Sequence, residues 1–188
     1  MTAWTKADWR TRLLARRRSV PEEVRTREAA ALAAGVARLS PPPVVCAYVP
    51  FGGEPGSTAM LDALVDAGAE VLLPVTGGGP LGWARYAGAA ALTPGRFGIP
   101  VPAGVAREPA AIGEAGLILV PALAVDRRGV RLGRGAGYYD RSLPLADPGA
   151  RLVAVVRDDE FVAALPEDAH DHRMTAALTP TALHPVAE

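Results

Sequence analysis

The run Leu117-Ile118-Leu119-Val120 is apolar at every position, with no in-out alternation. A strand of this kind is buried on both faces, which happens when crossover connections lay helices over each side of a mostly parallel sheet. The rest of the chain fits that plan. Residues 44–49, 70–74 and 152–156 read as further strands, and the central place goes to the most apolar one, 117–120.

Helix signals alternate with these strands. Thr5-x-x-Asp8 resembles a helix start, as does Ser19-x-x-Glu22 with Pro21 in the first turn, which predicts helices over 6–18 and 21–38. Pro41-Pro42-Pro43 stops helix formation before the strand 44–49, and Pro50 with the Gly52-Gly53 turn ends that strand. Ser57 is placed to cap a helix running to residue 67, which Gly68 closes. The strand 70–74 then completes a βαβ unit with right-handed crossover and parallel pairing. Residues 77–110 are rich in Gly and Pro, with a short strand around 83–86, and read as excursions that can wall a ligand site. A helix over 137–145 precedes the strand 152–156. The expected fold is an α/β three-layer α/β/α sandwich with a mostly parallel central sheet, one domain over residues 1–188, with ligands beyond the carboxyl ends of the strands.

At 188 residues the chain has the length of one domain. Its longest apolar runs fall far short of the ~20 residues that span a bilayer, and its start lacks the basic and apolar segments of a secretory signal. One cysteine, Cys46, lies inside a strand and reads as buried. A soluble cytoplasmic monomer without membrane or nucleic-acid partners is the expectation, since the formal net charge is zero. The charge is uneven, however. Residues 126–141 hold five Arg against two Asp, and residues 6–18 hold Lys6 and five Arg against Asp8. Two basic patches in a neutral chain suit a compact polyanion.

The first patch follows the apolar strand directly. Gly133, Gly135 and Gly137 alternate with larger residues, so the backbone can adopt φ > 0 and turn its N–H groups toward an anion. Arg131 and Arg134 can add bidentate hydrogen bonds to phosphate or carboxylate oxygens, and Asp140 can hold magnesium. An Arg-rich surface hairpin has the same composition. The segment matches neither G-x-x-x-x-G-K-[ST] nor G-x-G-x-x-G.

Lys6 is the only lysine in a chain with nineteen arginines. Lys6, Arg10 and Arg17 fall within about 40° on a helical wheel, one cationic stripe that can meet phosphates or simply face water. Glu54, beyond the first strand, can accept hydrogen bonds from a heterocycle or be a turn carboxylate. Trp83 and Tyr86 can stack on a flat ring or belong to the core. His170-Asp171-His172 makes a weak zinc motif without a third ligand, and Asp171 suits magnesium better.

Taken together these segments resemble the 5-formyltetrahydrofolate cyclo-ligase family. The likeness runs from Lys6-x-x-x-Arg10 through Tyr48-Val-Pro-Phe-Gly-Gly-Glu54 and Leu73-Pro74. It peaks at Arg131-Leu-Gly-Arg-Gly-Ala-Gly-Tyr-Tyr-Asp140 and ends at Leu165-Pro-Glu-Asp-Ala-His170-Asp171 and Thr179-Pro180. It implies a three-layer α/β sandwich that uses MgATP to turn 5-formyltetrahydrofolate into 5,10-methenyltetrahydrofolate, releasing ADP and phosphate. By matching position, Lys6, Arg10 and the loop Arg131, Leu132, Gly133, Arg134, Gly135, Ala136, Gly137, Tyr138 and Tyr139 would bind ATP. Val49, Glu54, Arg134 and Tyr138 would contact folate, with Trp83 as a further stacking surface. Asp140 and Asp171 would hold Mg2+, and Lys6 and Arg134 would be catalytic. The chain departs from the usual pattern at Ala136, at Val101, at Pro55-Gly-Ser-Thr58 and at Thr175. A member that binds without turnover, or a sugar-phosphate isomerase or transferase on a similar sheet, are the rival expectations.

Overall fold

Thr5 opens the first helix through a reciprocal cap. Its hydroxyl accepts from the Asp8 N–H at 3.2 Å, while the Asp8 carboxylate accepts from the Thr5 N–H at 2.9 Å. The computed structural model describes residues 4–95, 98–169 and 171–186, and in it α1 spans Lys6–Arg18 and α2 spans Glu22–Ala37. Ser19 does not cap α2 as expected. It ends α1, where its hydroxyl donates to the Arg16 carbonyl at 2.8 Å, and Pro21 takes the N-cap place with φ −60° and ψ 152°.

The strands and helices that follow are β1 (Val44–Cys46), α3 (Ala59–Asp66), β2 (Glu70–Val75), β3 (Gly82–Arg85), β4 (Leu92–Pro94) and β5 (Pro100–Pro102). Then come β6 (Leu117–Pro121), β7 (Ala124–Asp126), β8 (Arg131–Leu132), α4 (Tyr138–Ser142), β9 (Arg151–Val155), β10 (Phe161–Val162), β11 (Ala176–Leu178) and β12 (Leu183–Pro185). Seven strands form the main sheet in the order β12-β11-β9-β6-β1-β2-β3, with β6 in the middle. Its four inner junctions are parallel, and the two edge strands β3 and β12 pair antiparallel. The sheet is mostly parallel, as expected.

Both faces of the sheet are buried. Val45, Leu117, Leu119, Val153 and Val155 point to one side, where they pack with Leu32 and Val36 of α2 and Met60, Leu61 and Leu64 of α3. Cys46, Ile118, Val120 and Ala154 point to the other, against Ile112 in the 3-10 turn Pro109–Glu114 and Leu143 beyond α4. This period of two is the strand geometry of a sheet between two covering layers. α1 covers neither face. Its Leu13 joins Leu123, Val130 and Leu132 in a third cluster over the small sheet β10-β7-β8.

Two expected elements differ in extent. The ladder of β1 stops at Cys46, with one further bond from the Ala47 N–H to the Leu72 carbonyl at 2.9 Å, so Tyr48 and Val49 leave the sheet. The helix expected over 137–145 is the five-residue α4 followed by a 3-10 turn, Leu143–Leu145. Pro144 lacks the N–H needed to continue the α ladder.

The connections define one crevice. From β1 the chain moves outward to β2, yet β6 pairs on the opposite side of β1, so the strand order reverses between β1 and β6. Ligands of open α/β sheets bind beyond the carboxyl ends at such a point.

Cys46 is fully buried and unpaired, and burial pushes its thiol from 9.0 up to about 12. Between those values the unfolded chain loses a proton that the folded chain keeps, so stability present below pH 9 declines as the pH rises through this window. At pH 8 the native protein should react with a thiol reagent only when denaturant opens the sheet. Stoichiometric labelling within seconds without denaturant would contradict this packing.

Candidate active site

A cavity of about 470 Å³ lies at the reversal point. Tyr48 and Val49 enter it from the end of β1, Leu73 and Pro74 from β2, and Pro121, Ala122 and Leu123 from the end of β6. Leu81, Ile99, Pro100 and Val101 supply one side, so the Gly/Pro-rich segment does wall the site. The remaining side is the loop from Gly133 to Asp140, with Arg131 beneath it.

That loop has the backbone its glycines suggested. Gly135 has φ 101° and Gly137 φ 70°, in the left-handed region that side chains avoid. A Cβ on Gly137 would also fall 2.7 Å from Arg141 Nη1. Bonds from outside fix the loop. The Arg10 Nε–H donates to the Gly133 carbonyl at 3.0 Å, and Arg131 Nη2 pairs with Asp140 Oδ1 at 2.6 Å. Across the cavity Arg134 Nε meets Glu54 Oε1 at 3.1 Å, while Glu54 Oε2 accepts from the Phe51 N–H at 3.0 Å. The Arg134 side chain is 44% exposed, and a half-exposed pair of this kind is weak enough for a ligand to displace.

Of the expected site residues, Val49, Glu54, Arg131, Asp140 and the stretch Gly133, Arg134, Gly135, Ala136, Gly137, Tyr138 and Tyr139 line this one cavity. The others stand elsewhere. Arg10 is behind the loop, and the Leu132 side chain is in the third cluster. Lys6 reaches Asp168 and Asp171, each at 2.7 Å, and Asp171 also accepts from the Asp168 N–H at 2.8 Å. Burial alone would lower the Lys6 pKa, but the hydrogen bonds and charges of the two aspartates outweigh it and raise the value. Lys6 is therefore a held cation. Its position makes the cationic stripe of α1 face inward: Lys6, Arg10 and Arg17 each engage a partner from the body of the protein.

Trp83 does not contact the cavity. It is fully buried in the second cluster with Cys46 and Leu72, because its place on edge strand β3 turns it to the covered face. Its alternative as a core residue is the one the packing takes. Asp140 lines the cavity and Asp171 does not, and no cluster of three metal-ligating side chains occurs among the described residues. His170 lies outside the described residues. Of the departures, Ala136 and Val101 line the cavity, whereas Thr175 bonds through its hydroxyl to the Leu152 backbone, away from it.

Two polar residues of the cavity are not assigned to the ligand site by the sequence, which shows Arg17 only as part of the α1 stripe. Tyr48 and Arg17 both line the cavity, at 4% and 3% exposure. Arg17 makes a bidentate pair with Glu160, Nε to Oε1 at 2.6 Å and Nη2 to Oε2 at 2.7 Å, and Nη2 also donates to the Ala122 carbonyl at 2.6 Å. Glu160 accepts in turn from the Arg157 N–H at 2.9 Å, and Arg157 reaches Glu28 at 2.8 Å and the Gly53 carbonyl at 2.9 Å. The spacing of Arg17 from Lys6 was a usable signal. Glu160, in the acidic run Asp158-Asp159-Glu160, gave none. Burial acting alone would lower the Arg17 pKa, but Glu160 more than offsets it. Burial also raises both Tyr48 and Tyr139, so their hydroxyls stay protonated.

Replacing Glu160 by Gln strands a buried guanidinium without its counter-charge. Breaking one partner of such a pair costs about 3–5 kcal/mol, so Glu160→Gln should lower the urea midpoint by that equivalent. A loss under about 1 kcal/mol, the range of surface pairs, would contradict the burial of this network.

Comparison with known proteins gives the family. Residues 2–180 match the 5-formyltetrahydrofolate cyclo-ligase family. The chain is 49% identical over 187 residues to a 5-formyltetrahydrofolate cyclo-ligase of Mycolicibacterium smegmatis, covering 96% of each chain. It is 30% identical over 149 residues to the enzyme of that name from Escherichia coli, covering 74% of this chain and 82% of that one. Among solved structures, the 5,10-methenyltetrahydrofolate synthetase of Aquifex aeolicus superposes with a TM-score of 0.82 at 29% identity, over 97% of this chain and 93% of that one. The synthetase of Mycoplasma pneumoniae, at 17% identity and TM-score 0.73 over 93% and 98% of the two chains, shares the fold. The chain belongs to the 5-formyltetrahydrofolate cyclo-ligase family.

Proposed function

We propose that this protein converts 5-formyltetrahydrofolate to 5,10-methenyltetrahydrofolate with ATP as phosphoryl donor, in the cytoplasm. The observation that carries the reading is the meeting, in one cavity, of the Gly/Arg loop with Glu54 and an apolar wall. The loop N–H groups and arginines suit a triphosphate, and the wall suits a flat fused ring. One bound pair would thus place a phosphoryl group beside a formyl oxygen.

The chemistry calls for that juxtaposition. A formamide carbon is a poor electrophile. Attack of the formyl oxygen on the terminal phosphorus breaks the bond to the departing ADP and makes the oxygen part of a phosphate leaving group. N10 then attacks the formyl carbon, loses its proton, and the C–O bond breaks as phosphate leaves with the former formyl oxygen. No protein nucleophile is needed, so the work is positioning and charge stabilisation. Arg134 would swing from Glu54 to the transferring phosphoryl group, freeing Glu54 to accept from N–H groups of the folate. Arg10 and Lys6, one helical turn apart on α1, would meet phosphate oxygens at the outer side of the loop. Val49 and Tyr138 would flank the ring.

Magnesium fits this donor set in one form. Arg131 engages one Asp140 oxygen, Asp140 is a third exposed, and Asp171 is held by Lys6. That suits an ion arriving with the triphosphate and taking one or two carboxylates, not an ion in a cage of protein ligands. When bound, it would neutralise phosphate charge.

Incubated with 5-formyltetrahydrofolate and MgATP, the protein should form methenyltetrahydrofolate, followed by its near-ultraviolet absorbance, and form none without ATP. Binding of both ligands with no product would make it a non-catalytic member of the family and overturn the proposal. Lys6→Ala and Arg134→Ala should each lower kcat by about a hundredfold or more, the scale for losing one group that stabilises transition-state charge. Unchanged turnover in both would remove these two residues from the mechanism.

A further inference from the structure

Six buried side-chain polar atoms have no hydrogen-bond partner among the described residues, and four of them belong to side chains lining the cavity: Arg17 Nη1, Tyr48 Oη, Arg131 Nε and Tyr139 Oη. Folded proteins leave few such groups, each at a cost. Their concentration around one cavity is therefore the mark of a surface completed by a polar ligand. The charges nearby say what kind. Arg17 is already neutralised by its bidentate pair with Glu160, and Arg131 by Asp140. A spare N–H on a neutralised guanidinium, beside protonated tyrosine hydroxyls and apolar Leu73, Leu81 and Leu123, suits a neutral acceptor such as a ring carbonyl or ring nitrogen. A phosphate would look for a cation free to turn to it, which Arg134, half exposed and held by one 3.1 Å bond to Glu54, and Arg10, bonded among the described residues only to the Gly133 carbonyl, offer at the other side of the loop.

We propose that Arg17 and Tyr48 are specificity-determining contacts, whose unpaired N–H and O–H groups take the carbonyl-bearing edge of the substrate's fused ring. The inference rests on the folate reading of the cavity given above. Tyr48 can donate to the ring carbonyl while accepting from the neighbouring ring N–H, and since a hydroxyl does both it serves a 4-amino analogue with the roles reversed; Arg17, which only donates, takes a 4-oxo group and not a 4-amino group. Arg17, fixed by three hydrogen bonds to Glu160 and the Ala122 carbonyl, offers its two remaining N–H groups, both on Nη1, in set directions. Ring orientation sets the position of N5 and N10 relative to the loop, so these two residues would align the formyl group with the phosphoryl donor.

The test compares the wild-type protein with Tyr48→Phe and Arg17→Lys in three measurements: KM for 5-formyltetrahydrofolate and for ATP, calorimetric Kd for folate and its 4-amino analogue, and the melting temperature of the ligand-free protein. Tyr48→Phe removes only a hydroxyl, so it keeps the packing and carries the test if Arg17→Lys fails to fold. The expected result is a rise of about threefold to tenfold in the folate KM, the scale of one hydrogen bond. The ATP KM should not move; Tyr48→Phe should weaken the 4-oxo and the 4-amino compound alike, and Arg17→Lys should shrink the preference for the 4-oxo compound. The ligand-free melting temperature should stay level or rise, because an unpaired buried hydroxyl has been removed. An unchanged folate KM in Tyr48→Phe, or a lowered ligand-free melting temperature with both KM values altered together, would overturn the assignment. A wild-type protein that neither turns over nor binds 5-formyltetrahydrofolate would instead overturn the folate reading on which it rests.

Discussion

A guanidinium buried at 3% exposure is not tolerated without a fixed counter-charge, and Arg17 obtains one from a residue 143 positions away in sequence. That requirement ties α1 to the segment after β9 and, through the Ala122 carbonyl, to the end of β6. Glu160 passes the constraint to Arg157, which grips Glu28 on α2 and the Gly53 carbonyl. Gly53 precedes Glu54, so the same network sets the carboxylate that faces Arg134. Helices that cover different parts of the molecule are thereby registered against the carboxyl ends of the central strands, where the cavity is formed.

The cavity divides its polar groups by how firmly they are held. Arg17 and Arg131 are buried and paired, with each of their bonds to a carboxylate at 2.6 or 2.7 Å. Arg134 is half exposed, with a single bond at 3.1 Å. Rigid donors recognise a ring, and a loosely held cation can follow a phosphoryl group during transfer. The walls of Leu73, Leu81, Val101 and Leu123 are apolar, so a ligand seated against them would make its electrostatic contacts in a medium of lower dielectric than solution.

Much of this was legible in the residues. The uniform apolarity of 117–120 required a strand covered on both sides, and it occupies the centre of a mostly parallel sheet. Alternating glycine in 133–137 predicted a backbone with positive φ, found at Gly135 and Gly137. What stayed hidden was either too short or too distant. The two- and three-residue strands β7, β8 and β10 carry no readable period. Trp83 offered a stacking surface, and only the antiparallel pairing of β3 on β2 turned it into the core. Arg17 belonged to a visible stripe, but its use depends on Glu160, and a pairing across that distance leaves no trace in local spacing. Pro144 stands inside the helix expected over 137–145, and its missing N–H is why the α ladder ends before it.

The central claim is that one cavity brings the formyl oxygen to the phosphoryl donor, so that this oxygen leaves as part of phosphate. Turnover of 5-formyltetrahydrofolate carrying 18O in the formyl group, with unlabelled ATP in unlabelled water, tests it through the mass of the released phosphate. The account predicts one 18O atom in each phosphate formed. Release of unlabelled phosphate, with the heavy oxygen recovered in water, would contradict direct phosphorylation of the formyl oxygen.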